Sequence, residues 1–288
     1  MKHFLRLLLL FPLLTGFGLR AQTFNANLAA MLQDSLDYYV NAIPNIKGMS
    51  AGVYLPGQGY WQGQSGVSYA GQPITGDMEF GIASNTKLFV SATMLKLAED
   101  GLLSLDDSVS AWLPAHPYID SAITIRQLLN HTSGVSDPIF ASPWMDTINA
   151  NPTRVFTSQE VLSWLGPPVF APGASWSYSN VNYILAGMIA ETASGFSIAQ
   201  LIRDSLLTPL GLDSTFYDVA EPERGTLAHR WWNSVDYHDT ARTGLNSAGG
   251  CAGAIFYTAG EMCQWYRALF GGDVLQPASM TELTRFVP

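Results

Sequence analysis

Four lysines occur in the chain, and only Lys87 has a serine three positions before it. In Ser84-Asn85-Thr86-Lys87 the two side chains fall one helical turn apart on the same face. A serine hydroxyl is a poor nucleophile until a neighbour takes its proton, and a lysine held in a dry pocket has its pKa lowered enough to do so. The start of a helix adds backbone N–H groups and a positive dipole end, which suit a developing oxyanion. The spacing alone is common, so its company matters. Tyr178-Ser179-Asn180 follows Pro172-Gly173 and precedes an apolar helical run with Ile184, Leu185 and Met188. That context puts Tyr178 on a tight loop, where its hydroxyl can serve as base toward Ser84 and as acid toward a leaving group. Asn180 is placed to hold Lys87 and to donate to a substrate carbonyl. A second Tyr-x-Asn, Tyr39-Val40-Asn41, lies on the apolar stripe of the first helix and reads as packing.

The elements that must position these groups can be read from periodicity. Leu28, Met31, Leu32, Leu36, Tyr39 and Val40 recur at helical spacing. Met49, Ala51, Val53 and Leu55 alternate, with a turn at Gly57 before Tyr60 and Trp61, which predicts a hairpin. From Ser84 to Glu99 there is no Gly or Pro, and apolar residues lie on nearly every side, so a helix buried on most faces is expected, ending at Gly101. A mostly helical block occupies about 102–230, with capping-box starts at Thr124/Gln127, Thr157/Glu160 and Ser197/Gln200. Strand-like sequence returns only around Cys251 to Tyr257, before a last helix from Gly260 to Leu269.

With these residues in place the chain resembles the serine beta-lactamase and D-alanyl-D-alanine carboxypeptidase superfamily, on the class C beta-lactamase branch that also includes esterases. The matching text is Phe80-Gly81-Ile82-Ala83-Ser84-Asn85-Thr86-Lys87, Gly101-Leu102-Leu103-Ser104-Leu105-Asp106-Asp107, Leu128-Leu129-Asn130-His131-Thr132-Ser133-Gly134-Val135, the Tyr178 motif with Asn182-Tyr183, and Pro209-Leu210-Gly211-Leu212. A tyrosine in the second motif differs from the class A pattern, which has Ser-Asp-Asn there. The resemblance implies acylation of Ser84, proton transfer by Lys87 and Tyr178, and substrate positioning by Asn180; no cofactor is expected, and with no Glu-x-x-His or paired cysteine near His131 no metal is expected either. It implies an α/β fold of the α+β type, an antiparallel sheet flanked by helices with an all-helical region beside it. The family's third motif, Lys-Thr-Gly or His-x-Gly, has no match; Arg242-Thr243-Gly244 is the nearest text, and it precedes Ser247-Ala248-Gly249-Gly250 where the family's motif follows that segment. Pro288 falls where the family runs into its sheet-closing strands, so those C-terminal strands are expected to be missing. A non-catalytic or truncated relative that binds peptidoglycan peptides or a partner is the alternative reading.

Composition sets the remaining bounds. At 288 residues, 48% hydrophobic and 13% charged, the chain suits a well-buried core. Lys2, His3 and Arg6 flank an apolar run from Leu7 to Leu14, followed by small residues up to Ala21, which predicts a signal peptide over 1–21, a hydrolase domain over 22–288 and a periplasmic or secreted location. The run is shorter than the about 20 residues of a membrane span. The net charge of −9 becomes more negative once Lys2, Arg6 and Arg20 are removed, which disfavours nucleic acid as a partner and leaves a small molecule or peptidoglycan peptide. Cys251 and Cys263 allow either one bridge or two separate small residues. Gly48-Met49-Ser50-Ala51-Gly52 fits the nucleophile-elbow pattern but sits inside an alternating strand. His131 reads as a structural histidine at a helix end, Asp106 and Asp107 as a solvated turn, and Trp176 as a candidate cleft wall.

Overall fold

The computed structural model describes residues 23–139 and 141–287, so the leader-like stretch 1–21 lies outside the described residues. Helix α1 (Ala26–Ala42) opens on the Asn25 side chain, which accepts from the Leu28 N–H, and lies against β2. Strands β1 (Gly48–Leu55) and β2 (Gly59–Tyr69) form the expected hairpin, antiparallel from Gly48 opposite Gly66 to Leu55 opposite Gly59. Ser50 pairs with Gln64 in mid-ladder, so the elbow-like Gly-x-Ser-x-Gly text is ordinary strand. A two-residue β3 (Gln72–Pro73) extends this sheet beside β2.

β4 (Phe80–Gly81) leads through a 3₁₀ turn, Ala83–Asn85, into α2 (Thr86–Glu99). Phe89, Val90, Ala92, Met94, Leu95 and Leu97 of α2 are all buried, each contributing roughly 1 to 3 kcal/mol according to side-chain size. The helical region follows with α3 (Ile125–Leu129), α4 (Ser142–Ala150), α5 (Ser158–Leu162), α6 (Asn180–Ser194) and α7 (Ile198–Ile202), then a π-helical turn Arg203–Leu207 and α8 (Thr208–Leu210). Reciprocal capping boxes form at Thr124/Gln127 and Thr157/Glu160. At Ser197 the hydroxyl accepts from the Gln200 N–H, while the Gln200 amide turns forward to Asp204.

The last third carries β5 (Phe216–Tyr217), β6 (Trp231–Trp232), β7 (Val235–Asp236), α9 (Thr243–Gly249), β8 (Ile255–Tyr257), α10 (Ala259–Phe270) and α11 (Pro277–Leu283). Sequence periodicity anticipates β8 and α10 but misses β5, β6, β7, α9 and α11, because two-residue strands carry no period and α9 and α11 are helices of seven residues each. β8 pairs antiparallel with both β4 and β5, and α10 covers the hairpin. Phe89 of α2 stacks on Trp265 of α10 at 4.3 Å, joining the buried helix to the sheet's cover. The result is the α+β arrangement that the resemblance implies: antiparallel strands, in two three-stranded sheets β1–β2–β3 and β4–β8–β5 and a β6–β7 pair, flanked by helices with a helical region beside them.

Of the two readings left open for the cysteines the separate residues hold, and two smaller expectations are corrected. Cys251 and Cys263 are free thiols, one buried under α6 and one on α10 beside Gly52 of β1. Tyr39 is 51% exposed, so it faces solvent rather than the core. Asp106 pairs with Arg126, and Asp107 accepts from the Ser104 N–H and the Trp112 indole, so this turn is held by its carboxylates rather than merely solvated.

Glu79 sits just before β4 and is fully buried, with neither carboxylate oxygen in a hydrogen bond of ordinary geometry. Burial pushes its pKa up to about 7; the Gly225 and Arg224 N–H groups offset only part of this, and Glu261 and Glu223 add repulsion. Because the folded state holds this proton more tightly than the unfolded chain, the Glu79 contribution is intact below about pH 4.5 and is lost as pH rises through about 7. Urea unfolding at pH 5 and pH 8 should therefore show Glu79→Gln gaining on the wild type by on the order of 3 kcal/mol at the higher pH. Equal differences at both pH values would mean that Glu79 is not titrating in the folded protein.

Candidate active site

Ala83 immediately precedes the nucleophile candidate with φ of 47°, a left-handed conformation that costs a non-glycine residue about 1–2 kcal/mol. This kink turns the chain from β4 into α2 and leaves Ser84 exposed at the mouth of a helix whose next turns are buried. The start of α2 is anchored by Thr86, whose buried hydroxyl accepts from the Ile255 N–H of β8. Lys87, one turn on, is only 6% exposed.

Around these two groups two distant segments converge, one carrying Tyr178 and Asn180 and the other Ala252. The Ser84 hydroxyl lies 2.7 Å from the Tyr178 hydroxyl and 3.2 Å from Lys87 Nζ. Lys87 Nζ donates to Asn180 Oδ1 and to the Ala252 carbonyl, both at 2.8 Å. The structure thus brings Ser84, Lys87, Tyr178 and Asn180 into one hydrogen-bonded network. Two carbonyl oxygens take two N–H bonds of the lysine, so its third position points at Ser84. That position is an N–H in the ammonium and a lone pair in the free amine. Burial lowers the Lys87 pKa to about 8, with the Asp137 charge opposing the shift. The free amine, aimed at the serine hydroxyl, is therefore accessible near neutral pH.

Tyr178 is held from behind by His131, ring to ring at 4.6 Å. His131 has φ of 63° directly after α3, and burial, reinforced by the nearby Lys87 charge, lowers its pKa to about 4. Its Nδ1 accepts from the Ser179 N–H and faces the Asn182 amide, both at 3.2 Å, which places the ring proton on Nε2. His131 is thus a structural histidine, as its sequence suggests, but one whose ring braces Tyr178. Trp176 meets His131 edge-on and is 53% exposed, in keeping with a cleft wall. On the far side, Gly187 lets α6 close on the Cys251 turn: a Cβ there would lie 2.1 Å from the Cys251 sulfur. The adjacent Ala252 carbonyl is thereby kept over Lys87.

A profile of the family described as Beta-lactamase matches residues 36–287. The chain belongs to the beta-lactamase family. Penicillin-binding protein 4* of Bacillus subtilis (strain 168) is 35% identical over 150 residues, which are 50% of this chain and 32% of that protein. Esterase EstB of Burkholderia gladioli is 31% identical over 245 residues, 78% of this chain and 57% of that protein. The chain therefore spans about a third to somewhat over half the length of these curated relatives. Among solved structures, D-amino acid amidase from Ochrobactrum anthropi SV3, crystallised with L-phenylalanine, superposes with a TM-score of 0.79 at 28% identity, covering 89% of this chain and 73% of that one.

Within this beta-lactamase-family site, sequence reasoning missed the Ala252 carbonyl, Asp137 and the bracing role of His131. Asp137 lies 43 residues before Asn180, and nothing in local spacing links them. A backbone carbonyl such as that of Ala252 has no side-chain signature at all. Arg242, nearest to the family's third motif in sequence, is committed elsewhere, to Asp218 at 2.8 and 3.0 Å and to Glu223 at 2.8 Å. A cavity of about 990 Å³ borders the next face of α2 through Leu88, Ser91 and Leu95, and shares Trp176 and Tyr183 with the surroundings of the site. Ser84 does not line it. Among the described residues, no group of His, Cys, Asp and Glu is arranged to hold a metal ion.

Proposed function

We propose that the chain is a serine hydrolase working through an acyl-enzyme on Ser84, with D-Ala-D-Ala-type peptides, beta-lactams or short esters as its substrate classes. The observation that carries this reading is the Ser84 hydroxyl lying between Tyr178 at 2.7 Å and Lys87 at 3.2 Å. In the acylation step Ser84 Oγ bonds to the substrate carbonyl carbon, and its proton passes to the free amine of Lys87. Tyr178 gives its proton to the departing nitrogen or oxygen as the scissile bond breaks and is reprotonated from Lys87. Water then attacks the acyl-enzyme by the reverse proton path. Of the backbone donors at the start of the helix, the Asn85 N–H is taken by the Ile82 carbonyl at 3.1 Å, which leaves the Ser84 N–H as the oxyanion donor from this element. Asn180, 3% exposed, orients Lys87 and reaches substrate only through the second hydrogen of its amide nitrogen. The leader-like N-terminal sequence supports a location outside the cytoplasm.

The test is incubation of the protein with a fluorescent penicillin and, separately, with an activated short-chain ester, followed by intact mass and peptide mapping. An adduct on the peptide containing Ser84 supports the proposal, and the reagent that reacts tells which acyl group is accepted. A folded protein that forms no adduct would overturn catalysis and favour the alternative, a non-catalytic binder of peptidoglycan peptides. Tyr178→Phe keeps the ring packed against His131 and removes only the hydroxyl. Its acylation rate constant, from stopped-flow traces, should fall by roughly 10² or more while the fold is retained; an unchanged rate would assign the proton transfer to Lys87 alone.

A further inference from the structure

Asp137 has no place in the chemistry above, yet its carboxylate is fully engaged at the site. It sits half-buried in the segment after α3. Its Oδ1 accepts from the Ile139 N–H at 3.1 Å, and its Oδ2 accepts both the backbone N–H of Asn180 at 2.9 Å and the Asn180 side-chain amide at 2.7 Å. The segment that carries it is clamped to the start of α6, with Ser133 donating to Asn182 at 2.6 Å and the Ser136 carbonyl accepting from Ser179 at 3.3 Å. α6 has no capping bond from its own Ser179 side chain, so Asp137 supplies a carboxylate to the helix start from 43 residues away.

The two ends of the Asn180 amide are chemically distinct, and their surroundings allow one orientation. An ionised carboxylate only accepts, so the NH₂ end must face Asp137. A protonated lysine only donates, so the carbonyl end must face Lys87. A flipped amide would set oxygen against carboxylate and N–H against ammonium. We propose that Asp137 is a positioning residue of the acylation site: its carboxylate fixes the Asn180 amide with the carbonyl turned to Lys87, and so fixes the direction in which the lysine meets Ser84.

Electrostatics supports the same assignment. The groups facing Lys87 are Ser84 from the 3₁₀ turn before α2, Tyr178 from the loop, Asn180 and Tyr183 from α6, the Ala252 carbonyl from the turn before β8, and neutral His131 behind Tyr178. Asp137 is the carboxylate that acts on Lys87, and it opposes the effect of burial. It therefore has two separable effects, orientation through Asn180 and charge through space.

The inference rests on the proposed acylation of Ser84, and the experiment is chosen to separate the two. Asp137→Ala should slow acylation by about 10²-fold, the scale expected for a catalytic group displaced by about 1 Å. Made in an Asn180→Ala background it should add little further loss, because it acts through that amide. Asp137→Asn keeps the shape and removes the charge. ¹⁵N-lysine NMR of the full chain, with Lys87 assigned by its loss in Lys87→Arg, should show the Lys87 amine titrating at lower pH in Asp137→Asn than in the wild type. The pH profile of acylation should move with it. Multiplicative losses in the double variant, or a Lys87 titration untouched by Asp137→Asn, would overturn the proposal, and a lost thermal transition in Asp137→Ala leaves the Asp137→Asn titration to decide. A wild type that is never acylated would sink the hydrolase reading, while the lysine titration would still judge the role of Asp137.

Discussion

Ser84→Ala should form no covalent adduct with any acylating reagent that labels the wild type, and its turnover should fall by at least about 10⁴-fold. The attacking oxygen is absent, and neither Lys87, buried and held by two carbonyls, nor Tyr178, packed against His131, is arranged to replace it. The fold should be intact, because Ser84 is exposed and, among the described residues, its hydroxyl bonds only to the two groups with which it would react. A change within about 0.5 kcal/mol is expected from urea unfolding. Intact mass and unfolding curves on one preparation check both halves. An adduct that survives the substitution would place the nucleophile elsewhere and undo the Ser84 assignment.

Lys87→Met should cut the acylation rate by about 10³-fold while the protein stays folded. Methionine matches the length of the stem and suits its buried setting, so packing is preserved. Two opposing terms act on stability: a buried cation is removed, and the carbonyls of Asn180 and Ala252 lose their donor. The pH dependence is the sharper signature. In the wild type, acylation should rise as pH passes through about 8, because the neutral amine is the base. The Lys87→Met profile should be flat there. Stability carries its own sign: the folded pKa lies below the unfolded value of 10.5, so the Lys87 contribution is complete above 10.5 and is lost as pH falls through about 8. This slope is opposite to the one expected from Glu79. A rate limb near pH 8 that persists in Lys87→Met would assign that titration to another group.

Much of this site is legible in the order of residues. The Ser84–Lys87 pair is local, since any helix with 3.6 residues per turn brings positions three apart to one face. The same is true of the boxes at Thr124 and Thr157, and of the β1–β2 hairpin around Gly57. Each depends on residues a few positions apart, and each lies where spacing places it. Legibility fails first where local pattern is thin. β5, β6 and β7 are two residues each, and their pairing is decided by what lies beside them rather than by alternation. Tyr39 follows the helical stripe yet is exposed, because periodicity tells which residues share a face and not which part of that face is covered.

What the sequence by itself determined is the chemistry available: a serine one turn from a lysine, and a tyrosine on a tight loop before a buried helix. Only the tertiary structure decided how these groups meet. Tyr178 reaches Ser84 across 94 residues of chain, and the Ala252 carbonyl reaches Lys87 across 165. Such contacts follow from how α2, α6 and β8 pack, and that packing is spread over many apolar side chains with no spacing rule between them. The depressed Lys87 pKa belongs to the same class, since burial and the facing Asp137 exist only in the folded chain. Residue types and local spacing are written along the chain, whereas the dielectric around a lysine and the direction of an amide are properties of the space that the folded chain encloses.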